Sequence, residues 1–159
     1  MNYLIIFVFA FQLFATSTHA KSCVFCTQNI IQEQSVFEGR YFHILLDHEP
    51  RVPGHLLVIP KRHVAKANEL SQNEWSELSD IIPKIVAVFC EFLETEDYIL
   101  LEKNGQQAFQ QIPHVHFHLF PVHKESWPEI FDIVPAKLSD EDLAYQTGLF
   151  RNYFLQVTD

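Results

Sequence analysis

Three histidines alternate with apolar residues in the segment His114-Val115-His116-Phe117-His118, within a run that is typical of a β-strand. Strand side chains point alternately to two faces, so the imidazoles would share one face while the apolar residues bury the other. Burying a row of imidazoles without partners costs free energy, which favours a functional site over histidines that merely face water. Two chemistries use such a row: a metal held by several imidazoles, or a nucleophilic imidazole steered by its neighbours.

The chain also contains thiols that could take part in such chemistry. Cys23 and Cys26 form a C-x-x-C pair, which could supply two thiolate ligands to zinc or, in an exported protein, form a disulfide. Cys90 lies in an apolar helical pattern, and we expect it to be a small buried residue rather than a reactive thiol.

The periodicity of the apolar residues predicts the elements that must position these groups. A long helix is expected to begin after a capping box formed by Ser71 and Glu74, to end near Leu93 and to be kinked at Pro83. A final helix is expected to begin at Ser139 and to end near Phe154. The predicted strands cover residues 36–38, 41–47, 55–59, 98–102 and 113–122.

Composition limits the kinds of partner that this protein can have. The chain has 159 residues, of which 48% are hydrophobic and fifteen are phenylalanine, so it can form one domain with a sizeable core. Its formal net charge is −9, which argues against binding nucleic acid polymers or anionic membranes, because those interactions need a basic surface. A small anionic substrate stays compatible with a locally positive site.

The first twenty residues differ from the rest and predict a signal peptide. The apolar run from Tyr3 to Ala15 is shorter than the roughly 20 residues of a membrane-spanning helix, so no stable span is expected. Thr18-His19-Ala20 suits signal-peptidase cleavage, although Lys and Arg do not occur in the n-region. We therefore expect a secreted or periplasmic protein whose mature domain is residues 21–159. An uncleaved anchor or a misassigned start codon is the alternative, and the latter would leave the protein in the cytoplasm.

Three motifs in this order give the chain a specific resemblance. Cys23-Val24-Phe25-Cys26 is followed by Pro53-Gly54-His55-Leu56-Leu57-Val58-Ile59-Pro60-Lys61-Arg62-His63 and then by the three histidines. Together they resemble the histidine triad (HIT) superfamily, in its branch with an N-terminal C-x-x-C, from Cys23 to about Pro121. The resemblance implies an α+β fold, with an antiparallel sheet of about five strands packed on the long helix, a C-terminal helical extension, and a homodimer.

The resemblance also implies a reaction. His116 matches the family nucleophile, which accepts a nucleotidyl group, and His118 would donate to the phosphate oxygens. His55 matches a fourth histidine that assists proton balance or orients the triad. The implied substrates are small nucleotides, either nucleoside phosphoramidates or dinucleoside polyphosphates. Because catalysis at phosphate is largely positioning and electrostatics, no catalytic metal is required.

Further residues carry over as ligands of zinc or of the nucleotide. In family members with the C-x-x-C pair, two cysteines and two histidines commonly bind a structural zinc. Asp47 matches the residue that holds the ribose hydroxyls, and Gln110 matches a glutamine that contacts the bridging or leaving-group oxygen. Asn104 lies in an Asn-Gly pair that is one residue short of the family's Asn-x-Gly, so either Lys103 or Asn104 would face the phosphate. The implied zinc ligands are Cys23, Cys26, His63 and His114.

Two departures from the family pattern affect the expected specificity. Phe109 stands where the family has a small residue, and Gln111 stands where it commonly has Ser or Thr. A bulky Phe109 would crowd the leaving group and favour small amine leaving groups over a second nucleotide. Two alternatives stay open: a non-catalytic zinc-binding module that senses nucleotides, and a hydrolase whose zinc is held by the three triad histidines.

Overall fold

The computed structural model describes residues 23–123 and 132–158 of the chain. It has three helices and five strands in these two ranges, together with short 3-10 turns at Val24–Cys26, Ala67–Glu69 and Gln106–Ala108. In chain order they are α1 (Gln28–Gln34), β1 (Ser35–Glu38), β2 (Phe42–Leu46), β3 (Leu56–Pro60), α2 (Gln72–Leu93), β4 (Tyr98–Glu102), β5 (Phe117–Pro121) and α3 (Asp140–Thr158).

The five strands form one antiparallel sheet in the order β1-β2-β3-β5-β4. This confirms the α+β class and the five-stranded antiparallel sheet expected from the sequence. The histidine strand was predicted to cover residues 113–122, but β5 begins only at Phe117. Its pairing with β4 ends at Glu102↔Phe117, so the residues before Phe117 have no partner in that ladder. His114 and His116 therefore precede the strand, and only His118 lies within it.

The two faces of the sheet carry different kinds of side chain. On one face, alternate strand residues such as Val58 and Leu119 pack with α2 and α3 in the main core. Val115 and Phe117 belong to the same core, so the apolar members of the histidine segment bury themselves as predicted. The opposite face carries His118, which pairs with Leu57 of β3 in the ladder. Packing and chemistry are thus separated by the strand alternation.

Helix α2 begins with the predicted capping box. Ser71 Oγ accepts a hydrogen bond from the backbone N–H of Glu74, and the Glu74 carboxylate accepts one from the N–H of Ser71. The helix is continuous through Pro83 from Gln72 to Leu93. Cys90 was expected to be buried, and this is wrong: it is exposed, because the helix turns Phe89 inward and the next residue outward.

The helices at the two ends of the domain brace the first strand. The short helix α1 was not predicted. Helix α3 begins after Ser139, whose Oγ accepts a hydrogen bond from the N–H of Asp142, as the sequence indicated. It extends to Thr158 rather than to about Phe154. Arg151 donates hydrogen bonds to the backbone carbonyls of Gln32 and Ser35, which ties α3 to α1 and β1.

The predicted signal peptide, residues 1–20, lies outside the described residues. Within residues 23–123 and 132–158, no helix has both the length and the apolar character that crossing a membrane requires.

We expect Glu74→Gln to lower the free energy of unfolding by roughly 1–3 kcal/mol near neutral pH, because a buried charge-assisted hydrogen bond would be weakened. Glu74 Oε2 accepts from Arg62 Nη2 at 2.8 Å, and half of the Arg62 side chain is exposed, which places the effect toward the lower end. The hydrogen bond from Arg62 lowers the pKa of Glu74 from its ordinary 4.5 to about 2.

The folded-state pKa is therefore below the unfolded one, so this stabilisation is present above the ordinary glutamate pKa and is lost as the pH falls toward about 2. Urea unfolding at a series of pH values measures it, with Asp80→Asn, an exposed change on the same helix, as the control. A deficit of the Glu74→Gln variant that stays constant down to the lowest pH would contradict this account.

Candidate functional site

The histidines of the predicted site converge at the N-terminal end of β5, on the sheet face that α2 does not cover. Val115 N–H donates to the carbonyl of Val64 at 2.8 Å, which holds the segment before the strand against the loop that follows β3. His116 and His118 then lie with ring centroids 4.9 Å apart. His55 comes from the residue just before β3, and its ring centroid is 5.1 Å from that of His118. The structure thus brings together all three predicted catalytic residues.

His116 is held in one tautomer by its own backbone. Its Nδ1 lies 2.7 Å from the carbonyl oxygen of His114, and since a carbonyl only accepts, Nδ1 must carry the proton. The other ring nitrogen, Nε2, then has a free lone pair. Burial lowers the pKa of His116, which is 8% exposed, so the neutral imidazole is favoured. A neutral imidazole with a fixed, unprotonated Nε2 is what a nitrogen nucleophile requires.

A row of polar side chains extends from His118 into the protein. His118 Nδ1 lies 2.9 Å from His55 Nε2, within hydrogen-bond distance. On the far side of the same ring, His55 Nδ1 approaches Asp47 Oδ2 at 3.1 Å, but forms no hydrogen bond within the described residues. Asp47 is partly buried, and burial raises the pKa of its carboxyl group. The row therefore links the candidate ribose ligand to the triad.

The buried imidazoles of this row are neutral. Burial is the main cause that lowers the pKa of His55 to about 2 and that of His118 to about 3, and the positive charge of Arg51 adds to both shifts. Phe120 supplies the apolar wall, since its ring stacks on His55 with centroids 4.2 Å apart. Sequence reasoning did not identify Arg51 or Phe120. Phe120 follows His118 by two residues and therefore lies on the same strand face, so the strand alternation could have identified it.

The four predicted zinc ligands also meet. Cys23 Sγ lies 3.4 Å from His114 Nδ1, and Cys26 Sγ lies 3.6 Å from the same atom and 3.5 Å from His63 Nδ1. One donor atom from each of these four residues lies within 4.8 Å of the others. The structure holds both cysteines as free thiols. The cluster could therefore bind a metal such as zinc.

The predicted nucleotide ligands of the loop after β4 form hydrogen bonds within the protein, mainly to the segment that follows β3. Asn104 Oδ1 accepts a hydrogen bond from Ala67 N–H at 2.8 Å, and its Nδ2 donates to the Glu102 carboxylate. Gln110 Oε1 accepts from Gly105 N–H at 2.7 Å, while its Nε2 donates to the carbonyl of Ala65 at 2.8 Å. Both amides therefore brace the loop after β4 against the segment that follows β3.

Lys103 is the better placed of the two candidates for the phosphate. In the β4–β5 ladder Leu101 pairs with His118, and the last pair is Glu102 with Phe117. Continuing the same alternation by one residue beyond the ladder would set Lys103 opposite His116. Paired side chains share a face, which would put Lys103 on the histidine face and Asn104 on the other. Consistent with this placement, the charge of Lys103 contributes to the lowered pKa of both His116 and His118, after burial in each case.

The two departures from the family pattern lie at the surface of this loop. Phe109 has a positive φ of 60° and is 79% exposed, and Gln111 is also exposed. A positive φ is a conformation that glycine adopts without strain, which explains why a small residue suits this position. The Phe109 side chain is free to meet a ligand that enters from solvent.

The comparison with known proteins decides the family. A family model described as HIT domain matches residues 28–125 of the chain. This chain belongs to the HIT family. The match includes His55 and the three histidines of the site, and it ends before α3.

Individual HIT proteins agree with this assignment. An adenosine 5′-monophosphoramidase of Saccharomyces cerevisiae is 33% identical over 122 residues, which cover 72% of this chain and 75% of that protein. A hypothetical histidine triad nucleotide-binding protein of Sulfolobus tokodaii has a TM-score of 0.70 and 26% identity, with 84% and 93% of the two chains covered. A Zn-bound histidine triad family protein of Mycobacterium smegmatis has a TM-score of 0.66 and 25% identity, covering 86% and 96%.

Proposed function

We propose that this HIT protein is a nucleotide hydrolase that forms a covalent nucleotidyl-histidine at His116. The observation that carries the proposal is the hydrogen bond between His116 Nδ1 and the His114 carbonyl, which leaves Nε2 as a buried, neutral nucleophile. The similarity to an adenosine 5′-monophosphoramidase supports a nucleoside phosphoramidate as substrate. A dinucleoside polyphosphate is the second substrate class, because it presents the same phosphoryl group with a different leaving group.

The reaction proceeds in two balanced steps. First, His116 Nε2 attacks the α-phosphorus, a nitrogen–phosphorus bond forms, and the bond to the leaving amine breaks as the amine takes a proton from solvent. Water then attacks the same phosphorus and gives a proton back to solvent, the bond to His116 breaks with its electron pair returning to Nε2, and a nucleoside monophosphate leaves. If His55 donates its Nε2 proton to His118 Nδ1, the Nε2–H of His118 can donate to a non-bridging phosphate oxygen. The positive charge of Lys103, which acts on both His116 and His118, would stabilise the charge that develops on the phosphate.

The nucleoside would bind at the start of the loop between β2 and β3. Asp47 is positioned there with one oxygen already accepting a hydrogen bond from Glu49 N–H at 2.9 Å. A carboxylate has further lone pairs that can accept two neighbouring hydroxyl groups, as the ribose of a nucleotide offers. Through this contact the protein would bind a nucleotide in preference to a phosphate ester that has no ribose.

The direct test of the proposed function is His116→Ala. We expect kcat/KM for adenosine 5′-phosphoramidate to fall by several orders of magnitude, because the variant has no atom in place of the nucleophilic nitrogen. Circular dichroism should show an unchanged fold, and His123→Ala, the same substitution at an exposed histidine, should keep full activity. Near-normal turnover by a folded His116→Ala protein would rule out the covalent mechanism.

Phe109→Gly tests the preference for the leaving group. We expect the wild-type protein to cleave phosphoramidates better than dinucleoside polyphosphates, since the exposed Phe109 ring would crowd a second nucleotide. Removing the ring should shift the kcat/KM ratio toward the polyphosphate, by about tenfold and at most about 200-fold for one such contact. An unchanged ratio in Phe109→Gly would show that this side chain points away from the leaving group.

We further propose that the cluster of Cys23, Cys26, His63 and His114 binds one structural zinc ion. The donor set fits, because zinc–sulfur and zinc–nitrogen bonds of about 2.3 and 2.0–2.1 Å in a tetrahedron place the two kinds of donor about 3.6 Å apart. The observed sulfur–nitrogen distances of 3.4, 3.5 and 3.6 Å match this edge. Bound there, zinc would tie the N-terminal segment to the catalytic strand. The Zn-bound protein of Mycobacterium smegmatis is consistent with the proposal.

Metal analysis of the purified protein should find about one zinc per chain. Cys26→Ser should lose the metal and lower the melting temperature, since it removes one of four ligands, whereas Cys90→Ser, the same change at an exposed cysteine, should keep it. His118→Ala should keep it too. If His116→Ala or His118→Ala empties the site while Cys26→Ser stays loaded, the metal is held by the triad.

Export and dimer formation remain proposals from the sequence. A mature chain that begins near Lys21 would be identified by its intact mass in material from the native host, and a full-length cytosolic chain would refute export. Strand β4 is one of the two edges of the sheet and exposes about two fifths of Tyr98 and of Leu100, which supports a homodimer through this edge. Sedimentation velocity that shows only monomer would refute the dimer.

A further inference from the structure

A segment outside the HIT match returns to the candidate nucleoside site. Residues 132–138, here named the C-terminal strap, precede α3 and lie along the loop between β2 and β3. This is the loop that begins at Asp47, the candidate ribose ligand, and ends at His55. The family model stops at residue 125, so neither the family pattern nor the motifs assign any role to the strap.

Two hydrogen bonds join the strap to this loop. The backbone N–H of Leu138 donates to the carbonyl of His48, the residue next to Asp47, at 2.8 Å. Arg51 Nη1 donates to the carbonyl of Ile133 at 2.6 Å. The strap is therefore bonded to the loop near its start and again near its middle.

Apolar packing connects the same strap to the histidines. The Ile133 side chain packs with Val52 of the loop and with Phe120 of β5. Phe120 in turn stacks on His55, with ring centroids 4.2 Å apart. Val134, the next residue, is 86% exposed, so these two neighbouring strap side chains point in different directions.

The direction of the Asp47 carboxylate depends on how the loop is held. The hydrogen bond between Asp47 Oδ1 and Glu49 N–H fixes the carboxylate relative to the first loop residues. The backbone bonds of the loop base, Asp47 N–H to the His55 carbonyl and His55 N–H to the Val52 carbonyl, are both 3.1 Å long and anchor its two ends. The strap adds the restraint on His48 and Arg51, between those ends.

We infer that the C-terminal strap is a positioning element for nucleoside recognition, which holds the β2–β3 loop so that Asp47 meets the ribose hydroxyls. The inference rests on the proposed function, and it deepens it by assigning the ribose preference to a segment beyond the HIT domain. Ile133 and Arg51 are positioning residues that act through the loop rather than by touching the nucleotide.

The test compares adenosine 5′-phosphoramidate with its 2′-deoxyadenosine counterpart, with the ratio of their kcat/KM values taken as the ribose preference. Asp47→Ala should abolish this preference. Ile133→Ala should lower it by about threefold or more, mainly through a higher KM for the ribose substrate, as expected for coupled positions. A general loss of stability would lower both kcat/KM values together and leave their ratio unchanged, so a lower ratio reports on ribose recognition.

Val134→Ala is the matched control, because it shortens a neighbouring strap residue whose side chain is exposed, and it should equal wild type. Arg51→Lys keeps the charge beside the histidines but shortens the donor, so it tests the strap separately if Ile133→Ala does not fold. If Asp47→Ala abolishes the preference while Ile133→Ala and Arg51→Lys leave it unchanged, the inference is overturned and the proposed function stands.

If Asp47→Ala itself leaves the ribose preference unchanged in an active protein, the ribose assignment fails and the inference fails with it. A wild-type protein without turnover would overturn the proposed function. In that case, calorimetry would measure the dissociation constants of adenosine and 2′-deoxyadenosine for the same variants. The ratio of these two constants would then replace the ratio of kcat/KM values in each comparison.

Discussion

The hydrogen bond between His116 Nδ1 and the His114 carbonyl is the interaction on which the rest of the site depends. His114 is fully buried, and its Nε2 lies 2.9 Å from the carbonyl of Pro60 while its Nδ1 faces the two thiols. One residue thus gives its side chain to the candidate metal cluster and its carbonyl to the candidate nucleophile. A movement of His114 that broke this hydrogen bond would free the tautomer of His116, so the proposed metal site and the proposed reaction would be coupled through a single peptide unit.

The fold supports this coupling by dividing the sheet into two faces. One face binds α2 and α3 through a continuous apolar core, which fixes the backbone of β3 and β5 without using any functional residue. The other face has a smaller cluster that includes Cys23, Phe25 and Leu57, together with the neutral imidazoles. Because the histidines alternate with core residues along one segment, the packing of Val115 and Phe117 sets the position of the reacting groups.

Local patterns in the sequence were sufficient to predict the positions of the five strands, the capping box of α2 and the burial of Val115 and Phe117, whereas the antiparallel sheet was implied by the resemblance to the HIT family. The residues that they missed depend on contacts distant in the chain. The early end of the β4–β5 ladder shortens the histidine strand. The pairing of β4 with β5, which no local pattern shows, brings the charge of Lys103 close enough to lower the pKa of His116 and of His118, after burial in each case. The strap contacts join Leu138 to His48 and Ile133 to Arg51, and nothing in the residue types predicts these pairs.

Rapid-quench mass spectrometry under single-turnover conditions tests the central claim most directly. When the protein is mixed with adenosine 5′-phosphoramidate, acid-free quenching and peptide mapping should locate an adenylyl group on His116, because its Nε2 is the free nitrogen of the site. The adduct should form and decay at rates compatible with turnover. An adduct on His118 or His55, or turnover with no protein-bound adenylyl group at any time, would contradict the account.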